Sequence, residues 1–315
     1  MIRKLIMVVL IATLAILAAC GGESRTNQEV VVDSFDNVLE AESYEAFSTI
    51  DLNLDMDSSD PFMGPYIQMI NDMDLSMSQI YDKEREMQQA TLHVEASMAP
   101  MTFNIDIPFL QNMNTQMMYV ETDSLMENFG AFLGLPSEAE GKLLEIDVNE
   151  LDDELASMDQ QDINNRVQAI TKDILQNKDE EDFEEGEDGQ YIVHFHEEDI
   201  RELLDRIMRE FDEVSNEELE QAQADLDEAF DHVTFNQFEV HTTVDGDTIE
   251  SQAVHVDATM DDNGEEFNFA FSMDTTYENM NGDVEFTIDP ENADTMTMEE
   301  FEELMMESMG SMQGF

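Results

Sequence analysis

Apolar residues change their spacing several times along the chain, and each change marks an element. Val31, Phe35, Val38 and Leu39 recur at helical spacing and predict an amphipathic helix. From Ser48 the period becomes two. Ile50, Leu52, Leu54 and Met56 alternate with Asp51, Asn53, Asp55 and Asp57, which describes a strand with one wet face. Asp60-Pro61 through Pro65 is expected to break it. Further strands are predicted over residues 73–81, 92–98 and 103–107, with a turn at 83–88, and Pro108 is expected to stop the last ladder. Shorter strands at 117–120 and 143–148 flank a short helix predicted over 124–133.

The middle of the chain is more helical. Ile163, Val167, Ile170 and Ile174 share one helix face, and the acidic stretch 179–189 reads as a solvated loop. A brief strand at 191–196 precedes Ile200, Leu203, Leu204, Ile207, Met208 and Phe211, which all fall on one helix face. Ser215 and Glu218 have capping-box spacing and open a second helix with Leu219, Ala222, Leu226 and Phe230 inward. The last third alternates most clearly. Phe238 and Val240 lead to the hairpin signal Asp245-Gly246, then Val254, Val256 and Ala258 return. After Asp262-Asn263-Gly264, the residues Phe267, Phe269, Phe271 and Met273 form a third strand. Val284, Phe286 and Ile288, behind Asn281-Gly282, are expected to form a fourth. A short Met-rich helix closes the chain.

Strands joined by short turns, with one apolar face each and helices between the runs, predict an α+β fold. It is an open, curved antiparallel sheet whose apolar face is covered by helices. Residues 29–297 read as a single domain, with two similar sheet halves as the alternative, and 298–315 as an acidic tail.

The beginning of the chain has a different character. Arg3 and Lys4 precede the apolar run from Leu5 to Leu17, and Leu17-Ala18-Ala19-Cys20 follows. A basic end, an apolar core of this length and small residues before the cut predict a signal peptide over residues 1–19. Leu-Ala-Ala-Cys resembles the lipobox of bacterial lipoproteins. The resemblance implies cleavage before Cys20, a diacylglyceryl thioether on its sulfur, palmitate-type acylation and a flexible tether over residues 20–28. Two acyl chains hold a protein on a bilayer where one only visits it. The expected location is therefore the extracellular face of the cell membrane. Gly21 does not resemble the Asp that retains lipoproteins at the inner membrane of Gram-negative cells.

Charge narrows the partners. The chain carries 76 acidic against 12 basic residues, a formal net charge of −64. Such a surface repels nucleic acid and anionic headgroups, so no nucleic-acid partner is expected. The acids are spread along the whole chain, as in a protein whose carboxylates stay solvated in brine. Diffuse cation binding is expected from them, and no shaped metal site. An EF-hand loop with Gly264 at its sixth position would need an oxygen ligand where Thr259 stands and Glu where Ala270 stands. Cys20 is the only cysteine.

Catalytic signals are sparse. There is no Gly-x-Ser-x-Gly, His-Glu-x-x-His or phosphate-cradling Gly loop. His194 and His196 share a strand face beside Glu197, Glu198 and Asp199, and His241 and His255 lie on facing arms of a hairpin, both weak metal signals. No enzyme activity, catalytic residue, metal ligand or cofactor is assigned. The 25 methionines are the remaining oddity, since Met is flexible and suits adaptable apolar surfaces. They fit either an ordinary core that uses Met where Leu is usual, or a groove for acyl chains built from Met73, Leu75, Met77, Phe103, Ile105, Phe267, Phe269 and Phe271.

Several pieces together resemble a Firmicute lipoprotein family of unknown function. These are Cys20, the helix ending near Ala41 to Tyr44, the strand from Phe47 to Met56, Gly141-Lys142-Leu143-Leu144-Glu145-Ile146-Asp147 and Phe286-Thr287-Ile288-Asp289-Pro290. A Trp expected in the Gly141 stretch is absent. More distantly the order of pieces is similar to the LppX, LprG and LolA lipoproteins, which implies a half-barrel closed by helices around a cavity for acyl chains. The function expected is a membrane-anchored protein that binds a lipid or other apolar ligand. The alternative is an acidic surface protein that binds cations, wall polymer or a protein partner.

Overall fold

The computed structural model describes residues 25–56, 63–98, 101–124, 126–127, 137–148, 160–210, 216–246, 248–262 and 265–312. Cys20, Phe211, Ser215, Asn263 and Gly264 lie outside them, as does most of the helix expected over 124–133; Glu218 is described only as part of its helix. The protein is α+β, built on an antiparallel sheet of 12 strands. Its strands are β1 (Ser43–Met56), β2 (Asp74–Asp82), β3 (Met87–Met98), β4 (Met101–Asn112), β5 (Met117–Glu121), β6 (Leu143–Asp147), β7 (Phe183–Glu185), β8 (Gln190–His194), β9 (Val233–Asp245), β10 (Thr248–Asp262), β11 (Glu265–Glu278) and β12 (Thr295–Thr297). The described helices are α1 (Asn27–Leu39), α2 (Met63–Asn71), α3 (Gln160–Asn177), α4 (Glu197–Glu210), α5 (Asn216–Phe230) and α6 (Met298–Met312). The strand order is β12-β6-β5-β4-β3-β2-β1-β11-β10-β9-β8-β7, and the short β12 runs parallel to β6.

The chain forms two compact units. The first takes the described residues of Met1–Ala41, Ile50–Asn71 and Gln160–Tyr277; the second takes those of Glu42–Thr49, Asp72–Asp159 and Glu278–Phe315.

In the first unit, α1 begins with a capping box. Thr26 Oγ1 accepts from Glu29 N (3.2 Å), and Glu29 Oε2 accepts from Thr26 N (2.9 Å), so two otherwise orphaned donors are satisfied. The helix buries Val31, Val32 and Phe35 against Val193, Val240, Val254, Val256 and Phe271 of β8–β11 and Leu175 of α3. Gln28 Nε2 donates to the carbonyls of Leu175, Gln176 and Lys178 where α3 ends, the place where helix carbonyls run out of intrahelical donors. Ile170 and Ile174 of α3 meet Ile207 of α4, and Ile200 and Leu204 of α4 meet Phe230 of α5.

One expectation is corrected here, and one helix is added. The stretch 179–189 is not only a solvated loop: Phe183 is buried and opens the three-residue β7, which pairs with β8. A strand this short shows no period in sequence. Gly189 next to it has φ +80°, and a Cβ there would lie 2.7 Å from the Val244 carbonyl, so only glycine fits the turn. The strand ends at Met56, before the expected break at Asp60–Pro65, and Met63–Asn71, to which no element was assigned, form a helix, α2. Pro65 falls in its first turn, where a missing N–H has no intrahelical partner to lose.

The second unit is a meander, β2 to β6, in continuous antiparallel register. Pro108 does not stop β4; the strand continues to Asn112, with Pro108 opposite Thr91. Pairing of β4 with β5 begins only at Phe109, so among the described residues one flank of β4 has no partner strand at Pro108, where a missing donor is tolerated.

The fourth strand expected over 284–288 is absent. Val284 and Ile288 are buried as the alternation implied, but a side chain supplies the hydrogen bonds. Gln89 Oε1, buried on β3, accepts from Thr287 N (2.8 Å) and Ile288 N (3.0 Å), while its Nε2 donates to Thr287 Oγ1 (2.7 Å). Arg85 Nη2 donates to the Val284 carbonyl (2.7 Å) and its guanidinium stacks on Phe286. Replacing Gln89 by Leu leaves two N–H groups without acceptors. The expected loss is about 2 kcal/mol of stability, the usual penalty for buried unsatisfied donors. Hydrogen exchange at Thr287 and Ile288 should speed up with it; unchanged protection there would show that Gln89 does not hold the segment.

Candidate functional site

The expected groove residues divide between the two units. Met73, Leu75, Met77, Phe103 and Ile105 belong to the second, and Phe267, Phe269 and Phe271 to the first.

In the second unit, register brings the apolar positions into rows. Leu75 lies opposite Val94, and Val94 opposite Ile105; Met77 lies opposite Leu92, and Leu92 opposite Ile107; Phe103 lies opposite Ala96. Strict alternation on three paired strands places these side chains on one face. Ser76, His93 and Asp106 form a row on the other, with His93 Nδ1 2.6 Å from Asp106 Oδ1. Apart from buried Ala96, the apolar rows are half-buried, neither sealed like Leu110 at 0% exposure nor open. Leu92, Val94 and Ile107 belong to this face as much as Leu75, Met77, Phe103 and Ile105 do, and the period of two already marked them; Met73 lies just before β2 and outside these rows.

In the first unit, Phe269 and Phe271 face α1 and take part in the core described above, beside Ile50, Leu52 and Met273. Phe267 is half-buried opposite Met260. The interior between α1, α3, α4 and the sheet encloses a cavity of about 30 Å³, lined by Val31, Phe35, Ile174, Leu203, Phe238 and Thr242 among others. That is room for about two waters. Drug-sized ligands occupy pockets of about 300–1,000 Å³. The sheet–helix layer of this unit is filled by its own side chains.

The wet face of the first unit gathers three histidines around one carboxylate. Glu239 lies between His194 on β8 and His255 on β10, with Oε1 3.1 Å from His194 Nδ1 and Oε2 3.0 Å from His241 Nε2. The His241 and His255 rings meet edge to face at 4.8 Å. Partial burial works against ionisation of Glu239, but hydrogen bonds from His241 and Gln237 with the nearby His194 hold its carboxyl below the usual range. His196 is held elsewhere, its Nε2 2.9 Å from Asp182 Oδ1, so the His194–His196 pair does not converge. Glu239 was not marked by sequence because its neighbours come from register alone. Among the described residues no group of three or more His, Cys, Asp or Glu is arranged to hold a metal ion.

Other perturbed groups are scattered. Burial pushes the Tyr44 hydroxyl up, with Tyr81 stacked at 5.2 Å adding to it and a hydrogen bond from Gln79 opposing. Burial and then Asp123 raise Glu121. An open acidic hollow of about 410 Å³ is lined by Asp123, Glu127, Glu140 and Gly141. Among the described residues no helix is long and apolar enough to cross a membrane.

A family model matches residues 66–297, from the middle of α2 to the end of β12. The chain belongs to DUF6612, a family of unknown function. No curated protein and no solved structure matches it. The half-buried rows of β2–β4 lie inside the span that defines this DUF6612 chain as a family member, while α1 and β1 lie before it.

Proposed function

We propose that this protein is a non-catalytic lipoprotein, anchored by a diacylglyceryl group on Cys20 at the extracellular face of the cell membrane, that binds the acyl chain of a lipid. The ligand lies on the apolar face of β2–β4, against Leu75, Met77, Leu92, Val94, Phe103, Ile105 and Ile107. The observation that carries this reading is the contrast between the two units. Between α1, α3, α4 and the sheet the first holds a cavity of only about 30 Å³, whereas the second presents aligned apolar rows that are only half-buried. The anchor supports the choice of ligand. Six peptide steps separate Cys20 from Thr26, the N-cap of α1, so the body stays within about 20 Å of the anchored sulfur. Lipid is the apolar molecule most concentrated there. In this reading the sheet wraps its ligand in the manner of the LolA and LppX half-barrels that the sequence resembles, and the acidic exterior holds cations diffusely.

Native mass spectrometry of the mature chain with Cys20→Ser, purified in high salt, tests the reading. The expected result is added mass of a phospholipid or glycolipid at near one-to-one stoichiometry, lost when Met77 is changed to Asp. A clean apo mass, with no uptake of a fluorescent fatty acid, would sink it. The filled interior of the first unit would then favour the second reading, a surface protein acting through its acidic exterior on a partner or wall polymer.

A further inference from the structure

From Pro61 to Asn71 the chain carries no charge, in a protein where 28% of residues are charged. Asp60 and Asp72 flank the stretch. Most of it folds as α2, and that helix is poorly covered. Tyr66 is 53% exposed, Gly64, Pro65 and Gln68 are exposed, and Ile67, Met69 and Ile70 are only half-buried. Nine residues are too few for a helix to persist in water on its own. A clamp holds this one. The Asn71 side chain copies a strand neighbour, with Oδ1 accepting from Leu54 N (2.7 Å) and Nδ2 donating to the Leu54 carbonyl (2.9 Å). The end of α2 is thereby fixed to β1.

We infer that α2 is a membrane-contact helix that lies in the headgroup region of the bilayer to which Cys20 is anchored. The inference rests on the anchor reading above. Two features point to lipid as the occupant. Tyr66, Ile67, Met69 and Ile70 make an uncharged apolar surface, and tyrosine combines an apolar ring with a polar tip that suits the interface. The tether also keeps the body close to a bilayer at all times, so the helix meets lipid at high effective concentration. With no Lys or Arg on α2, binding owes nothing to anionic headgroups; the net charge of the chain opposes them at low salt. Zwitterionic lipid is therefore the surface it fits.

The chain contains no tryptophan, so a single Trp is an unambiguous reporter. The experiment uses the full acylated lipoprotein carrying Tyr66→Trp, reconstituted into phosphatidylcholine vesicles with and without brominated acyl chains. Glu198→Trp, on the exposed first turn of α4 in the same unit, is the control. On reconstitution the reporter at position 66 should shift to shorter wavelength and lose intensity to the brominated chains, while that at 198 does neither. If the protein floats with the vesicles and the two reporters behave alike, the helix does not touch lipid and the inference is overturned alone. If the protein does not float with the vesicles, the anchor reading fails and takes this inference with it.

Discussion

Replacing Lys178 by Met should cost the first unit about 3 kcal/mol, within the range for removing one partner of a buried ion pair. The Lys178 side chain is 2% exposed at the end of α3. Its ammonium donates to Asp199 Oδ2 (2.5 Å), lies 3.1 Å from Asp182 Oδ2 and sits 5.0 Å from the centre of the Phe195 ring. Asp199 Oδ2 also accepts from His196 N (2.7 Å) at the start of α4, and Asp182 holds the His196 ring. One lysine thus ties the end of α3, the turn before β7 and the start of α4 together. Methionine would fill the volume but leave two largely buried carboxylates facing each other. Changing Asp182 to Asn in the same chain should restore part of the loss, and a double-mutant cycle measures how much.

The network also carries a pH dependence with a definite sign. Burial disfavours the charged form of Asp182, but hydrogen bonds from His196 and Lys178 outweigh it and hold the carboxyl below its ordinary value. A folded-state value below the unfolded one stabilises the protein above the unfolded value. That contribution is lost as pH falls through the folded one. The wild type should therefore lose stability below about pH 4, and Lys178→Met should show a shallower acid dependence. Equal acid slopes in the two proteins, from chemical denaturation across that range, would refute the assignment.

Phe35→Ala should cost about 4 kcal/mol, as buried Phe→Ala changes do. Phe35 is 1% exposed and is the largest fully buried side chain among the described residues, set between α1 and the strands beneath it. Its removal opens a void next to the existing 30 Å³ cavity, in a layer with little room to collapse because helices and sheet both hold their positions. Phe47→Ala on β1, where the ring is 50% exposed, should stay within about 0.5 kcal/mol, the range of ordinary surface changes. Thermal denaturation in high salt compares the two. A loss at Phe35 no greater than that at Phe47 would mean that α1, which precedes the family-matched span, is no part of the core.

Much of the sheet was legible because alternation is a local property. A strand wet on one face must change polarity every residue, so β1 to β4 and β9 to β11 announce themselves in the order of residues alone. The failures have physical causes. Pro65 follows the end of β1 as a breaker should, but its place in a first turn, where it removes no hydrogen bond, hid the helix. Pro108 reads as a stop, yet among the described residues its strand lacks a second partner at that point. Residues 284–288 alternate like a strand because Val284 and Ile288 are buried, but no periodicity can show that Gln89, almost 200 positions away, satisfies their backbone. The candidate site was legible to the same depth. Leu75, Met77 and Ile105 were recognisable as inward residues, whereas the contacts of Glu239 with His194 and His241 exist only once three strands are in register.

By itself, then, the chain determined its α+β class, the apolar face of each long strand, and a strongly acidic net charge. Those properties depend on the order of side chains over a few residues and on their sum. Register, the helical state of residues 63–71 and the filling of the first unit were decided by tertiary structure. Phe271 carries the same alternating pattern as Leu75 and Met77, yet it is buried in the core with Val31 and Phe35 of α1, while they stand in half-buried rows. The residues that fill a layer come from distant parts of the chain, so the volume left between them is absent from the strand pattern.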